Sequence, residues 1–267
     1  MIHDERRQRL KDQFIQSRGW WADFWDQFLD LDPELFEAFI AFSTVPWKKG
    51  HLSPKVKEYI YCAIDVATTH LYEPGLRIHL RNAFKFGASA AEIMEVYELV
   101  ALMGMHTMAM GVPVLIDELQ QAGMPAETTL GDAQLRLKQE FMNIHGWWTP
   151  AWESLLAINP EWFSAYLAFS AVPARKGFLE PKVREFVCLA VDAATTHMYE
   201  PGLRLHIRNA LRLGASREEI MEVLELVSIL GMHTISMGVP VLAQELSDHR
   251  KSKNTRAPHS AAPSHTC

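Results

Sequence analysis

The chain has 267 residues, 48% of them hydrophobic and 22% charged, with a formal net charge of -6 at pH 7. Such a balance excludes an intrinsically disordered chain, and a net negative charge with scattered basic residues argues against nucleic acid as a partner. No apolar run near the roughly 20 residues of a bilayer span stands out, and MIHDERRQRLKDQ is too charged for a secretory leader, so a cytoplasmic protein with no membrane partner is expected. Cys62, Cys188 and Cys267 form neither a CxxC pair nor an even disulfide set, and read as free thiols.

In chain order, GWW at 19–21 precedes Asp32-Pro33-Glu34, which opens a helix. Ser53 then caps a helix beginning at Pro54, with Val56, Ile60, Ala63, Ala67 and His70 on one stripe, and this helix is expected to end near His70. Pro74 opens the next, with Leu76, His79, Ala83 and Phe86 on one face and Gly87 as its C-cap. Ser89 with Glu92 forms a capping box for a third long helix, expected to carry His106 late in its course.

The second half repeats the first at an offset of 127 residues. TTHLYEPGLRIHLRN at 68–82 returns as TTHMYEPGLRLHIRN at 195–209, GWW returns at 146–148, and Ser216 with Glu219 repeats the capping box. A unit of about 115 residues is too long for a solenoid repeat, so the chain reads as a duplicated domain. The boundaries expected are a first domain at 1–119, a linker at 120–134, a second domain at 135–247 and a disordered polar tail at 248–267. With no alternating strand in either copy, the fold class is all-α.

The order KVKEYIYCAIDVATTH, then HxxxAxxxGAS, then xxEIxEVxxL resembles the carboxymuconolactone decarboxylase and alkyl hydroperoxidase D superfamily, once per half. This resemblance implies two tandem copies of an alkyl hydroperoxidase D-like helical domain. In the peroxidase branch a CxxC precedes the helix histidine by four residues; Tyr72 and Gly75, and Tyr199 and Gly202, stand there instead. The similarity is therefore to the decarboxylase-like branch, a carboxy-lyase acting on a small carboxylated cyclic metabolite. An alkyl hydroperoxidase-like antioxidant protein and a non-catalytic ligand-binding or scaffold protein are the alternatives. Family members form rings of domains, and a six-domain ring of this doubled chain would be a homo-oligomeric trimer.

Removing CO2 from an unsaturated lactone requires a cation for the carboxylate, donors for the developing oxyanion and a proton source near neutrality. His79 and His206 stand at the family's helix histidine and suit the last role. Glu73 and Glu200 can orient a histidine or act as acid and base, and His70 and His197 can converge on the same place. Arg81, Arg208, His106, His233, Trp20 and Trp147 are candidates for substrate binding. Structural roles compete throughout: core packing for the histidines and tryptophans, helix-dipole stabilisation for Glu73, solvated ion pairing for the arginines. Asp65 and Asp192 interrupt apolar helix sequence on the same face as Glu58 and Glu185, and read as capping or pairing groups before catalytic ones. His70, Glu73, His79 and His106 are metal-ligand types, yet no HxxxH pair is present, so neither metal nor other cofactor is expected.

Overall fold

The computed structural model describes residues 2–256, and every regular element among them is helical. The elements are α1 (Ile2–Arg18), α2 (Phe24–Leu31), α3 (Pro33–Ser43), α4 (Val45–Lys49), α5 (Pro54–Val66), α6 (Glu73–Lys85), α7 (Ala90–Leu102) and α8 (Met105–Gln121) in the first half. In the second half follow α9 (Asp132–His145), α10 (Glu153–Ile158), α11 (Pro160–Lys176), α12 (Pro181–Ala193), α13 (Glu200–Arg212), α14 (Arg217–Ser228) and α15 (His233–Arg256), with 3-10 turns at Pro150–Trp152 and Ile229–Met232. Two tandem all-α copies are thus present, as the repeat implied.

Helix starts follow the capping chemistry. Side chains of Asp32, Ser53, Ser89 and Asn159 accept from backbone N–H groups in the first turn, and both capping boxes close. Helix ends depart more from expectation. The second-repeat turn shows why: α12 stops at Ala193, and the Met198 N–H bonds back to Ala194 O, so His197, like His70 after α5, lies in the turn beyond the helix. His106 sits in the first turn of α8 rather than late in α7, because the chain breaks at Met103-Gly104. The expected linker is helix-free only at 122–131, and the tail continues α15 through Arg256; residues 257–267 lie outside the described residues. By length and composition alone, the segments Ala90–Gln121 and Arg217–Lys251, each interrupted between its two helices, are long and apolar enough to cross a membrane.

Compact packing divides the chain differently from the repeat. One unit comprises residues up to Lys49 together with those from Ile229, the other Gly50–Ser228. In the first, α15 packs on α2, and Phe14 meets Trp20 edge-on at 5.3 Å within a cluster that includes Trp25, Phe36 and Phe39. In the second, α8 of the first repeat packs on α10 of the second, joining Met105, Ala109 and Val112 to Phe141, Trp152 and Phe163. The last helix of each repeat therefore covers the aromatic segment of the other.

The centre of the larger unit is formed by α5, α7, α12 and α14, with Tyr59, Ala63, Val96, Val187 and Val191 in one buried cluster. Two fully buried carboxylates tie the repeats together there. Glu95 on α7 accepts from the N–H groups of Phe178 and Leu179 at 2.6 and 3.1 Å and pairs with Arg184 at 2.6 Å. Glu222 on α14 accepts from His51 and Leu52 at 2.9 and 3.3 Å and pairs with buried Lys57 at 2.7 Å. Removing one member of a buried pair strands the other charge, so Glu222→Ala is expected to lower stability by about 3–5 kcal/mol in urea unfolding. A change below about 1 kcal/mol would show that Lys57 finds another partner.

Candidate functional site

The second-repeat TTH turn is built around a buried carboxyl. Ala194 ends α12 with extended ψ, Met198 takes a left-handed φ of 51°, and the Tyr199 N–H returns to Asp192 O at 2.9 Å. Leu71 in the first repeat has the same φ of 51°. A left-handed non-glycine residue is strained, and the strain persists because the surrounding bonds over-determine it. Pro201 starts α13, and Gly202 comes down directly on the Asp192 carboxylate; a Cβ there would collide with Oδ2, as one at Gly75 would with Asp65. Glycine is what lets α13 approach a buried acid this closely.

A cavity of about 550 Å³ opens over this turn. Glu185 and Cys188 of α12, His206, Asn209 and Arg212 of α13, His106 of α8, and His145, Trp147 and Trp152 from α9 and the following turn contribute to its wall. His206 Nδ1 lies 2.7 Å from Glu185 Oε2, and its Nε2 lies 3.8 Å from Asp192 Oδ2. His106 Nδ1 and His197 Nε2 are 2.7 Å apart, and the Tyr199 ring stacks on His106 at 3.8 Å. Arg212 donates to Asn209 Oδ1 at 2.6 Å.

Burial dominates the electrostatics. It raises the Asp192 carboxyl to about 7 against the opposing pull of His206. It lowers His106 to about 3, helped by His197 and His206, and lowers His197 as well, so both imidazoles are neutral near pH 7. The Cys188 thiol is pushed well up by burial and by Glu185 and Asp192, and Cys62 is likewise raised by burial; neither is an activated thiolate. Cys267 lies outside the described residues.

The corresponding groups of the first repeat show a parallel core. His79 Nδ1 is 2.6 Å from Glu58 Oε2, both buried, and burial raises Asp65 to about 7. At one position beside the histidine the copies differ in a way that matters here: Tyr61 stacks on the His79 ring at 4.3 Å, whereas its counterpart Cys188, like His206, lines the cavity.

Of the residues singled out from sequence, the structure brings His206, His197, His106 and Trp147 to this one place. Glu200 is two-thirds exposed and pairs with Arg204, and Glu73 does the same with Arg77. Arg81 and Arg208 are exposed, and Arg208 is not in the cavity wall. His70 sits in its turn 5.7 Å from the Tyr72 ring, Trp20 belongs to the aromatic cluster of the smaller unit, and His233 begins α15. The sequence places Asp192 on one face with Glu185, and Asp65 with Glu58, at a spacing of seven, but it does not reveal these glutamates as the partners of His206 and His79. It assigns Tyr199 no site role, and nothing in it marks His145 or Arg212.

The sequence profile of the carboxymuconolactone decarboxylase family matches residues 33–117 and 160–232. The chain also resembles a crystal structure from Burkholderia xenovorans LB400, provisionally described as a gamma-carboxymuconolactone decarboxylase subunit. The two share 43% identity with a TM-score of 0.88, over 91% of this chain and 98% of that one. Among curated proteins none matches the chain significantly. The chain belongs to the carboxymuconolactone decarboxylase family.

His145 provides a test of the burial of this wall. Burial lowers it to about 4, against a smaller opposing effect of Glu185, and its Nε2 meets Ser170 Oγ at 3.0 Å. Its folded-state pKa is below the unfolded value, so its stabilising contribution is complete above about 6.5 and is lost as pH falls toward 4. His145→Gln should flatten the pH dependence of the urea midpoint between those values while leaving the slope near pH 8 unchanged. An unaltered acid limb would place His145 in water.

Proposed function

We propose that the chain is a carboxy-lyase acting on a small carboxylated, unsaturated cyclic metabolite of the carboxymuconolactone type. The observation that supports this most is a histidine held by a carboxylate, His206 on Glu185, in the wall of a cavity large enough for such a ring. In this reading the substrate carboxylate lies near Arg212, a residue of the cavity wall, and the ring lies against Trp147. The C–CO2 bond breaks, its electron pair passes into the conjugated ring carbonyl as an enolate, and CO2 leaves. His206, protonated on both nitrogens, keeps Nδ1–H on Glu185 and delivers the Nε2 proton to carbon; solvent restores it. The Tyr199 hydroxyl, kept protonated by burial and the nearby Asp192, is available as a donor at the same wall.

The high thiol pKa values oppose the peroxidase alternative. A homo-oligomer, a trimer if six domains close a ring, belongs to the same proposal; the Burkholderia relative is described as a subunit, and Met110, Val114 and Leu115 of α8 are exposed.

Decarboxylation of gamma-carboxymuconolactone, followed by CO2 release, tests the reading. His206→Ala should reduce kcat by roughly 10² to 10⁴, the usual worth of general acid or base help, with an unchanged thermal melt. His79→Ala should cost less, since Tyr61 packs flat on that ring. Full activity in a folded His206→Ala protein would contradict the assignment, and a wild-type chain inert toward carboxylated lactones would contradict the function.

A further inference from the structure

Beside the His206–Glu185 pair, three further atoms converge: His106 Nδ1, His197 Nε2 and Asp192 Oδ1. The two nitrogens are 2.7 Å apart, and the carboxylate oxygen is 3.6 Å from the first and 3.7 Å from the second. These three separations define a triangle whose circumscribed circle has a radius of about 2.0 Å, matching metal–nitrogen and metal–oxygen bonds to Zn²⁺.

We propose that His106, His197 and Asp192 form a binding site for one divalent first-row transition-metal ion, with a fourth coordination position directed at the cavity.

Several observations support the donor set. Asp192 is fully buried and neither of its carboxylate oxygens has a hydrogen-bond partner, an arrangement that is costly unless a cation or proton resolves it. Two imidazoles with one carboxylate suit Zn²⁺, Fe²⁺ or Co²⁺ better than Mg²⁺ or Ca²⁺, which prefer oxygen. Binding requires only that whichever imidazole donates in the 2.7 Å contact switch tautomer. Asp192 Oδ2 faces His206, and Tyr199 stacks on His106, so the ring orientation is fixed from outside the donor set. Sequence spacing could not reveal the site, because His106 comes from the first repeat and the other two ligands from the second.

This proposal does not rest on the decarboxylase reading, and its test reads the metal directly. Full-length protein, stripped with a chelator and dialysed, is titrated with Co²⁺ while visible absorption is followed, and with Zn²⁺ against a chromophoric competitor. The wild type should develop d–d bands of a mixed nitrogen and oxygen site. His106→Gln/His197→Gln should bind one equivalent per chain fewer, and Asp192→Asn should weaken that equivalent at least 10-fold. His145→Gln should leave the bands unchanged, and circular dichroism should confirm that each variant is folded. Wild-type protein that takes up neither ion would overturn the proposal. So would a folded double variant with the same stoichiometry and spectrum.

Discussion

Two carboxylates, Glu95 and Glu222, are taken wholly out of water, and that cost is offset only by groups on the opposite repeat. Each accepts two backbone N–H groups just ahead of the other repeat's long central helix and holds a cation on that helix, Arg184 or Lys57. A single repeat would leave these charges stranded. The duplication is therefore more than two domains in series: the centre of Gly50–Ser228 exists only when α5 and α7 meet α12 and α14.

The site inherits that arrangement. Because Arg184 answers to Glu95, the register of α12 against α7 is fixed, and with it the face that carries Glu185, Cys188 and Asp192. Because α8 packs on the aromatic segment of the second repeat, His106 reaches His197 although 91 residues separate them. The strained turn at Met198 and the bare Cα of Gly202 then set α13 directly on Asp192, placing His206 between two acids. Strain and buried charge are concentrated where a reacting molecule would lie, as expected where local stability is given up for chemistry.

Much of the fold was legible because helix starts are local chemistry. Ser53, Ser89, Asn159 and Asp32 cap where their spacing to proline or glutamate predicts. Helix ends were less so: nothing in ATTHMYEPG signals that Met198 turns left-handed, since leucine and methionine have no preference for that region. In the site, the duplicated histidines were visible as polar letters held fixed between copies, and His206, His197 and His106 do converge. Their partners were not, for two reasons. Glu200 sits next in sequence to the turn and looked better placed than Glu185, but it starts a helix and points to solvent. The contribution of α8 crosses from one repeat to the other, which no spacing rule within a repeat can register.

Under the proposed function, the cavity walled by His206, Glu185 and Arg212 from the second repeat and His106 from the first receives a small carboxylated ring. A crystal structure of the full chain soaked with a non-reactive saturated carboxy-lactone tests it most directly. Density is expected for the ring against Trp147, with its carboxylate within hydrogen-bond reach of Arg212 and the carbon that would be protonated facing His206 Nε2. Density for the lactone at a different place on the chain, with this cavity holding only solvent at saturating ligand, would contradict it.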